Sequence, residues 1–314
     1  MSRARVDEQC RGTHDRRATG HPAARHTAAM TMIVVCILLV LAGLVAAVRW
    51  GGLTVQPPPS APDPAAPTDQ PSMGLVVRCY LWYLTVAVVS GVGAGILAAG
   101  AGGRLVMRLL AVTAGPDAQG RITEADEIVG RVSVDGTLGF VVFTGLFVGL
   151  AAGTLYLLLH RWLPAGRAGG VAYGVLLLVL AGTRIDPLRA GNPDFDLVGP
   201  GWASVLAFTG LAVFQGVLVA ALAGRVSRAV PLLGTGPRAI AAHAPLLLLL
   251  PLGTAGLVVA IVGAGVVLAS QIPIVVAGWR DRRSVTVGRV ALVLVAVVAF
   301  PGFASAVVDI LGRP

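Results

Sequence analysis

The chain has 314 residues, of which 56% are hydrophobic and only 12% are charged. Soluble domains carry about 25% charged residues, so this composition excludes an ordinary soluble domain. The net charge is +9 and all 24 basic residues are arginines. They stand singly or in small groups at the ends of apolar runs, as anchors at lipid headgroups do, and they form no nucleic-acid-binding patch.

The apolar runs predict helices rather than strands. They are continuous, whereas the strands of a membrane barrel alternate between apolar and polar residues. The 41 glycines and the 5% aromatic content also suit helices that approach each other closely. The predicted fold is therefore an all-α, polytopic transmembrane helical bundle with a small polar loop cap.

The first 72 residues predict an appendage to this bundle. Residues 1–29 form a basic tail that we expect to be disordered, and the 19 residues 30–48 are long enough for a transmembrane helix. Residues 49–72 form a linker with seven prolines between 56 and 71, a composition typical of extended, semi-rigid spacers. We expect a separate membrane core over residues 73–314, and Met73 would fit as a native start.

Apolar segments divide the core into further predicted spans, at 77–100, 138–159, 168–183, 202–223, 244–279 and 290–308. The segment 244–279 is uncharged over 36 residues and would measure roughly 54 Å as one helix, too long for one straight crossing. Pro245, Pro251 and Pro273 interrupt it, so it forms either one broken span or two short spans. The prediction is seven to eight spans in all.

Two topologies remain open. In the first, the span 77–100 starts in the cytoplasm, 244–279 crosses twice, and the loop 101–137 lies outside. This topology requires either that residues 1–72 are a dispensable extension or that the tail lies outside. In the second, the tail and the loop are cytoplasmic and 244–279 crosses once. Both place the C-terminus outside. The arginines after 138–159 and after 202–223, which have no acidic neighbours, favour the first topology.

The polar stretch from Gly100 to Thr137 holds the main candidate site. Arg104 and Arg108 are four residues apart among apolar neighbours, which predicts a helix at the membrane interface with both guanidinium groups on one face. Such a pair anchors headgroups or recognises an anionic lipid or substrate. The candidate anion contacts are Arg104, Arg108, Arg184 and Arg189.

The same stretch and the loop 184–200 lie on one side of the membrane and are expected to form a polar cap. Thr123 and Asp126 resemble a capping box, which predicts a short helix from Glu124 in which Glu127 pairs with Arg131. The acid spacing fits no EF-hand loop, so no metal site is predicted. The candidate cap residues are Glu124, Asp126, Glu127, Arg131, Asp186, Asp194 and Asp196.

Small residues recur at helical spacing on two predicted spans. They predict faces at which helices pack closely within the chain, and homodimerisation through the same faces is the alternative. The residues are Gly91 and Gly95 on the first core span and Gly145, Gly149 and Gly153 on the next.

Reactive groups are scarce in the sequence. The centres of the predicted spans hold no acidic residue, lysine or arginine, which argues against ion-coupled transport and proton relays. The H-E-x-x-H and G-x-S-x-G motifs are also missing from the sequence. We therefore predict no enzymatic activity, no catalytic residue and no cofactor.

The segments GGRLVMRLLAVT, TEADEIVGRV and NPDFDLVGP resemble a group of uncharacterised multi-pass membrane proteins from GC-rich bacterial genomes. The resemblance extends roughly from Met73 to the C-terminus. It implies an integral membrane protein with no assigned reaction, and it carries over no catalytic residue. The expected location is the bacterial inner membrane.

The leading functional hypothesis is a non-enzymatic structural, assembly or accessory membrane component. The alternative is a permease or lipid-handling protein that uses the Arg104 and Arg108 face with the cap as a gate, and a membrane enzyme comes third. The expected partners are the lipid bilayer, an anionic lipid, and a second copy of the chain or another membrane protein. No nucleic acid is expected.

Overall fold

The computed structural model describes residues 22–59, 72–124, 128–185, 187–189, 191–270, 272 and 281–313. All regular elements of this part are helical, and Ile122 and Ile128 form an isolated antiparallel bridge. Most of the predicted tail, most of the proline-rich stretch, and Asp126, Glu127 and Asp186 lie outside the described residues.

The described part of the chain contains nine α-helices, with π- and 3-10-helical segments between some of them. In chain order they are α1 (Pro22–Trp50), α2 (Met73–Ala94), a π-helical segment (Gly95–Gly100), α3 (Ala101–Thr113), α4 (Val134–Leu159), α5 (Arg167–Ala181), α6 (Gly201–Val226), α7 (Pro237–Ala242), a 3-10 segment (Ala244–Leu252), α8 (Thr254–Ser270) and α9 (Arg282–Leu311). Short 3-10 turns lie at Pro116–Ala118 and Pro193–Asp196.

Five helices of the described part are long and apolar enough to cross a membrane, which indicates a membrane protein. They are α1 from Thr27, the continuous helix Met73–Thr113, α4, α6 and α9. The described residues do not confirm the predicted number of seven to eight spans. Part of the predicted segment 244–279 forms nine residues of 3-10 helix, a turn at Gly253 with φ of 44°, and the 17-residue α8.

Two helices extend beyond their predicted ends. The chain is helical from Pro22, so residues 22–29 belong to α1 rather than to a disordered tail. The span predicted to end at Gly100 continues to Thr113, because the π-helical segment joins α2 to α3 without a break. Arg104 and Arg108 therefore stand on the last part of a 41-residue helix and not on a separate interfacial helix.

The core lies among α2, α4, α5 and α6. Trp82 and Tyr173 are fully buried, and both satisfy their polar atoms. Trp82 Nε1 donates to the Val230 carbonyl at 2.9 Å, and the Tyr173 hydroxyl donates to the Ala152 carbonyl at 2.6 Å. Such bonds are needed because an unpaired polar group in an apolar interior is costly.

The candidate glycines bring α2 and α4 into backbone contact within the chain. A Cβ added to Gly95 would lie 2.7 Å from the Gly149 Cα, and one added to Gly91 would lie 2.9 Å from the Gly153 Cα. A Cβ on Gly145 would lie 2.9 Å from the Ile96 Cα. All of these separations are shorter than an ordinary van der Waals contact, so only glycine fits.

The first helix is part of the bundle and not an appendage. Cys36 is buried against α3 and α4, and a Cβ on Gly43 would lie 3.0 Å from the Phe214 ring. At the end of α1, Arg167 Nη2 donates to the Val48 carbonyl at 2.8 Å, and Arg228 Nη1 donates to the Thr54 carbonyl at 2.8 Å. Arg167 thus satisfies a carbonyl that the helix end leaves unpaired, and Arg228 binds the segment that follows the helix. We call this end of the bundle the clamp end.

The last helix runs from the clamp end to the opposite end. Gly288, near the start of α9, lies against Trp162, just after α4. At the other end, Gly201 lies against Ile310, and Arg313 Nη1 donates to the Asn192 carbonyl at 3.1 Å. The C-terminus and the loop 114–133 therefore lie at the same end of the bundle. This arrangement fits the first topology, whereas the second would place them on opposite sides.

Candidate functional site

A loop cap, formed by residues 114–133 and 182–200, covers the end of the bundle opposite the clamp. Its first half is hairpin-like: Val129 N–H donates to the Arg121 carbonyl at 2.9 Å and Gly120 N–H donates to the Val129 carbonyl at 3.1 Å. Gly120 and Gly130 have φ of 82° and 86° and turn the chain sharply. The short helix expected from Glu124 is therefore not formed at Ile128–Gly130.

The two halves of the cap meet through charged groups. Arg189 forms an ion pair with Glu124, whose backbone N–H donates to an Asp194 carboxylate oxygen at 2.8 Å. The side chains of the ion pair are 41% and 44% exposed, so it contributes at most about 1 kcal/mol. A second exposed pair, 3.2 Å long, joins Asp196 to Arg313. A small apolar cluster of Ala111, Ala118 and Val129, with Ala114 and Val198 against it, holds the cap to α3.

A cavity of about 380 Å³ lies between the cap and helices α1, α3, α4 and α6. Its wall combines polar and apolar side chains. The polar lining includes Arg104, Arg108, Arg131, Thr137, Glu124 and Asp194; the apolar lining includes Met32, Ile33 and Cys36 of α1, Phe140 of α4, Phe195 of the cap and Phe208 of α6.

Arg104 is the most constrained charged group of the cavity. Its Nε donates to the Thr137 hydroxyl at 3.3 Å, while its Nη2 is buried and has no hydrogen-bond partner among the described residues. Buried charged donors are normally paired, because removing them from water without a partner costs several kcal/mol. A small shift of the side chain would bring this donor to an anion in the cavity, which would supply the missing acceptor.

Arg108 lies one turn further along α3. Its Nη1 donates to the Gly130 carbonyl at 2.8 Å, which ties the hairpin-like part of the cap to the helix. A guanidinium group has five N–H donors in all, so this single bond leaves further donors for a ligand. Arg108 therefore both positions the cap and contributes positive charge to the cavity.

The other two candidate arginines do not line the cavity. Arg184 Nη1 donates to the Leu180 carbonyl at 3.3 Å, near the end of α5, and Arg189 pairs with Glu124 at the cap surface. The structure instead adds Arg131, which had been expected as a cap residue and as the partner of Glu127.

The cavity lies about one bilayer thickness from Arg78 along the same helix. Arg78 and Arg104 are on one continuous helix, 26 residues apart, and a helix rises about 1.5 Å per residue, so about 39 Å separates them. A bilayer measures about 40–45 Å across including its headgroups. If Arg78 anchors at one surface, Arg104 reaches the other.

Sequence reasoning missed the part of the cavity wall that α1 forms. Met32, Ile33 and Cys36 line the cavity from one helical face, a spacing that was visible in the sequence. The proline-rich stretch predicted that α1 is separate from the core, and a separate helix would not line a site in the core. Among the described residues, no three His, Cys, Asp or Glu side chains lie close enough together to hold a metal ion.

Compared with protein-family models, curated proteins and solved structures, the chain shows no significant match.

Proposed function

We propose that this chain is a non-enzymatic membrane component whose cap cavity binds an anionic ligand. The observation that carries the proposal is Arg104, whose guanidinium group lines the cavity and keeps Nη2 buried without a hydrogen-bond partner in the described part of the chain. Charge-assisted hydrogen bonds to carboxylate or phosphate are about twice as strong as neutral ones, and the planar guanidinium group matches both anions.

The cavity has a size that suits this role. Ligand pockets measure about 300–1,000 Å³, so a cavity of about 380 Å³ accepts a small anionic group with a short apolar extension. Each hydrogen bond to a charged group contributes about 1.5–3 kcal/mol. Loss of the Arg104 contact should therefore weaken binding by about 10- to 100-fold.

The test uses dodecyl phosphate as the probe, with the full chain purified in a neutral detergent. We expect dodecyl phosphate to raise the thermal unfolding temperature of the protein, and Arg104→Gln to shift the midpoint of that titration by about 10- to 100-fold. Arg184→Gln is the matched control, because Arg184 lies at the same end of the bundle but outside the cavity lining. If Arg104→Gln and Arg184→Gln gave the same midpoint in the dodecyl phosphate titration, the proposal would be wrong.

Transport of the anion is the alternative function for the same cavity. The π-helical segment Gly95–Gly100 supports it, because such segments are often found at functional sites and lie here next to the cavity-lining α3. Arg104-dependent flux of dodecyl phosphate across proteoliposomes would favour transport, and binding without flux would favour the accessory role.

We also propose a bacterial inner membrane as the location, with the cap on the outer side. The lysine-free composition and the resemblance described above support the first point. The arginines at the clamp end, including Arg161, Arg167, Arg225 and Arg228, support the second, because arginines without neighbouring acids favour the cytoplasmic side.

A further inference from the structure

We infer that the anionic ligand is a membrane phospholipid with a small phosphate headgroup, held with part of one acyl chain along the inner face of α1. This inference rests on the anion binding proposed above. It adds the chemical class of the ligand and the route by which the ligand enters.

The mixed lining of the cavity favours an amphiphile over a free anion. Arg104 and Arg108 line it together with many apolar side chains, among them Leu105 of the same helix and Met32 and Ile33 of α1. A free phosphate ion would contact only the polar side chains and leave the apolar ones in contact with water. An acyl chain would cover the apolar side chains, and each buried CH₂ group contributes about 0.8 kcal/mol.

Helix α1 separates the cavity from the surrounding lipid. Its inner face lines the cavity, while Val34 and Leu38 on its other side are 51% and 59% exposed. Below the cavity, Cys36 packs with Ala101 and Val141, which closes the gap between α1 and the bundle. The proposed entry of the lipid therefore lies beside the first turns of α1, on the other side of this contact.

The cavity volume sets the size of the headgroup. About 380 Å³ is near the small end of the range for ligand pockets, so a whole phospholipid does not fit. A phosphate group and the first part of one chain do fit, and the rest of the lipid would extend past α1 into the bilayer. Lateral entry from the membrane follows, because the chain never has to leave the apolar phase.

Photocrosslinking in nanodiscs tests the inference with the full chain. The probes are phosphatidic acid and phosphatidylcholine that carry the same diazirine-labelled acyl chain, and crosslinked positions are mapped by mass spectrometry. We expect phosphatidic acid to crosslink to Met32 and Cys36 several-fold more than phosphatidylcholine does, and Arg104→Gln to abolish this excess. Val34 and Leu38, on the lipid-facing side, serve as internal controls and should react equally with both lipids.

The outcomes separate this inference from the proposed function. Equal crosslinking of both lipids at Met32 and Cys36, together with Arg104-dependent stabilisation by dodecyl phosphate, would overturn the lipid assignment and leave anion binding intact. If inorganic phosphate stabilised the protein as strongly as dodecyl phosphate does at the same concentration, the ligand would be a soluble anion and not a lipid. Loss of both the crosslinking excess and the Arg104-dependent stabilisation would overturn both proposals.

Discussion

Replacement of Gly149 by alanine tests the close backbone contact between α2 and α4. An added Cβ at Gly149 would lie 2.9 Å from the Gly91 carbonyl carbon and 3.0 Å from the Val92 Cα, where ordinary contacts begin at 3.4 Å. Both neighbours are backbone atoms, which cannot rotate away. The variant must therefore separate α2 from α4.

The size of the effect follows from two opposing terms. Overpacking of a tight contact costs about 1–3 kcal/mol, whereas replacing glycine by alanine inside a helix gains up to about 1 kcal/mol. Gly139→Ala on the same helix is the matched control, because an added Cβ there meets nothing within 4 Å. The difference between the two variants isolates the packing term, which we expect to be about 1–3 kcal/mol in the free energy of unfolding.

The assay is SDS-induced unfolding in mixed micelles, followed by circular dichroism at several protein concentrations. Equal stability of Gly149→Ala and Gly139→Ala would show that α2 and α4 do not approach as described. A destabilisation that depends on protein concentration would place the glycine face between two copies of the chain instead.

Three further results are expected. Trp82→Phe should lower the free energy of unfolding by about 1–3 kcal/mol, because it leaves the buried Val230 carbonyl without its donor. The control Trp202→Phe changes a side chain that is 59% exposed and should lower it by less than about 0.5 kcal/mol. Equal losses in the two variants would contradict the burial of Trp82. Glu124→Gln should cost less than about 1 kcal/mol in the same assay, since its ion pair is exposed; a larger loss would mean that the pair organises the cap. Topology reporters placed after Gln119 and at the C-terminus should report the same side of the membrane, and opposite sides would refute the direction of α9.

Hydrophobic continuity was enough to predict three of the helices within a few residues of where they lie. The spans at 138–159, 168–183 and 202–223 correspond to α4, α5 and α6. These segments are apolar throughout and are bounded by charged or turn-forming residues, so both their type and their ends are encoded locally.

The errors concern contacts between segments that are distant in the sequence. Proline and charge around 49–72 suggested a boundary, but Arg167 and Arg228, more than 100 residues away, hold the end of α1 to the bundle. The arginines of Gly100–Thr137 suggested a new element, but a run of small residues let the preceding helix continue through close contacts with α4. Neither the attachment of α1 to the bundle nor the continuation of the helix past Gly100 can be predicted from the neighbouring sequence. Both depend on contacts with segments that are distant in the sequence.

The candidate site was predicted only in part, again because its lining depends on contacts between distant segments. The helical spacing of Arg104 and Arg108 was visible in the sequence, whereas Met32 and Phe208 join them only once α1 and α6 are packed. A cavity is a property of several segments together, and its lining follows from tertiary contacts rather than from any one motif.

The π-helical turn at Gly95–Gly100 determines how α3 is rotated about the helix axis relative to α2. A π-turn holds one more residue than an α-turn, and one residue corresponds to about 100° of rotation around the helix axis. If the same six residues formed an α-helix instead, the extra residue would no longer be absorbed and α3 would be rotated by about that angle relative to α2. Arg104 and Arg108 would then point away from the cavity although every side chain of the site was still present, so the register of the glycine-packed turn determines whether the site exists.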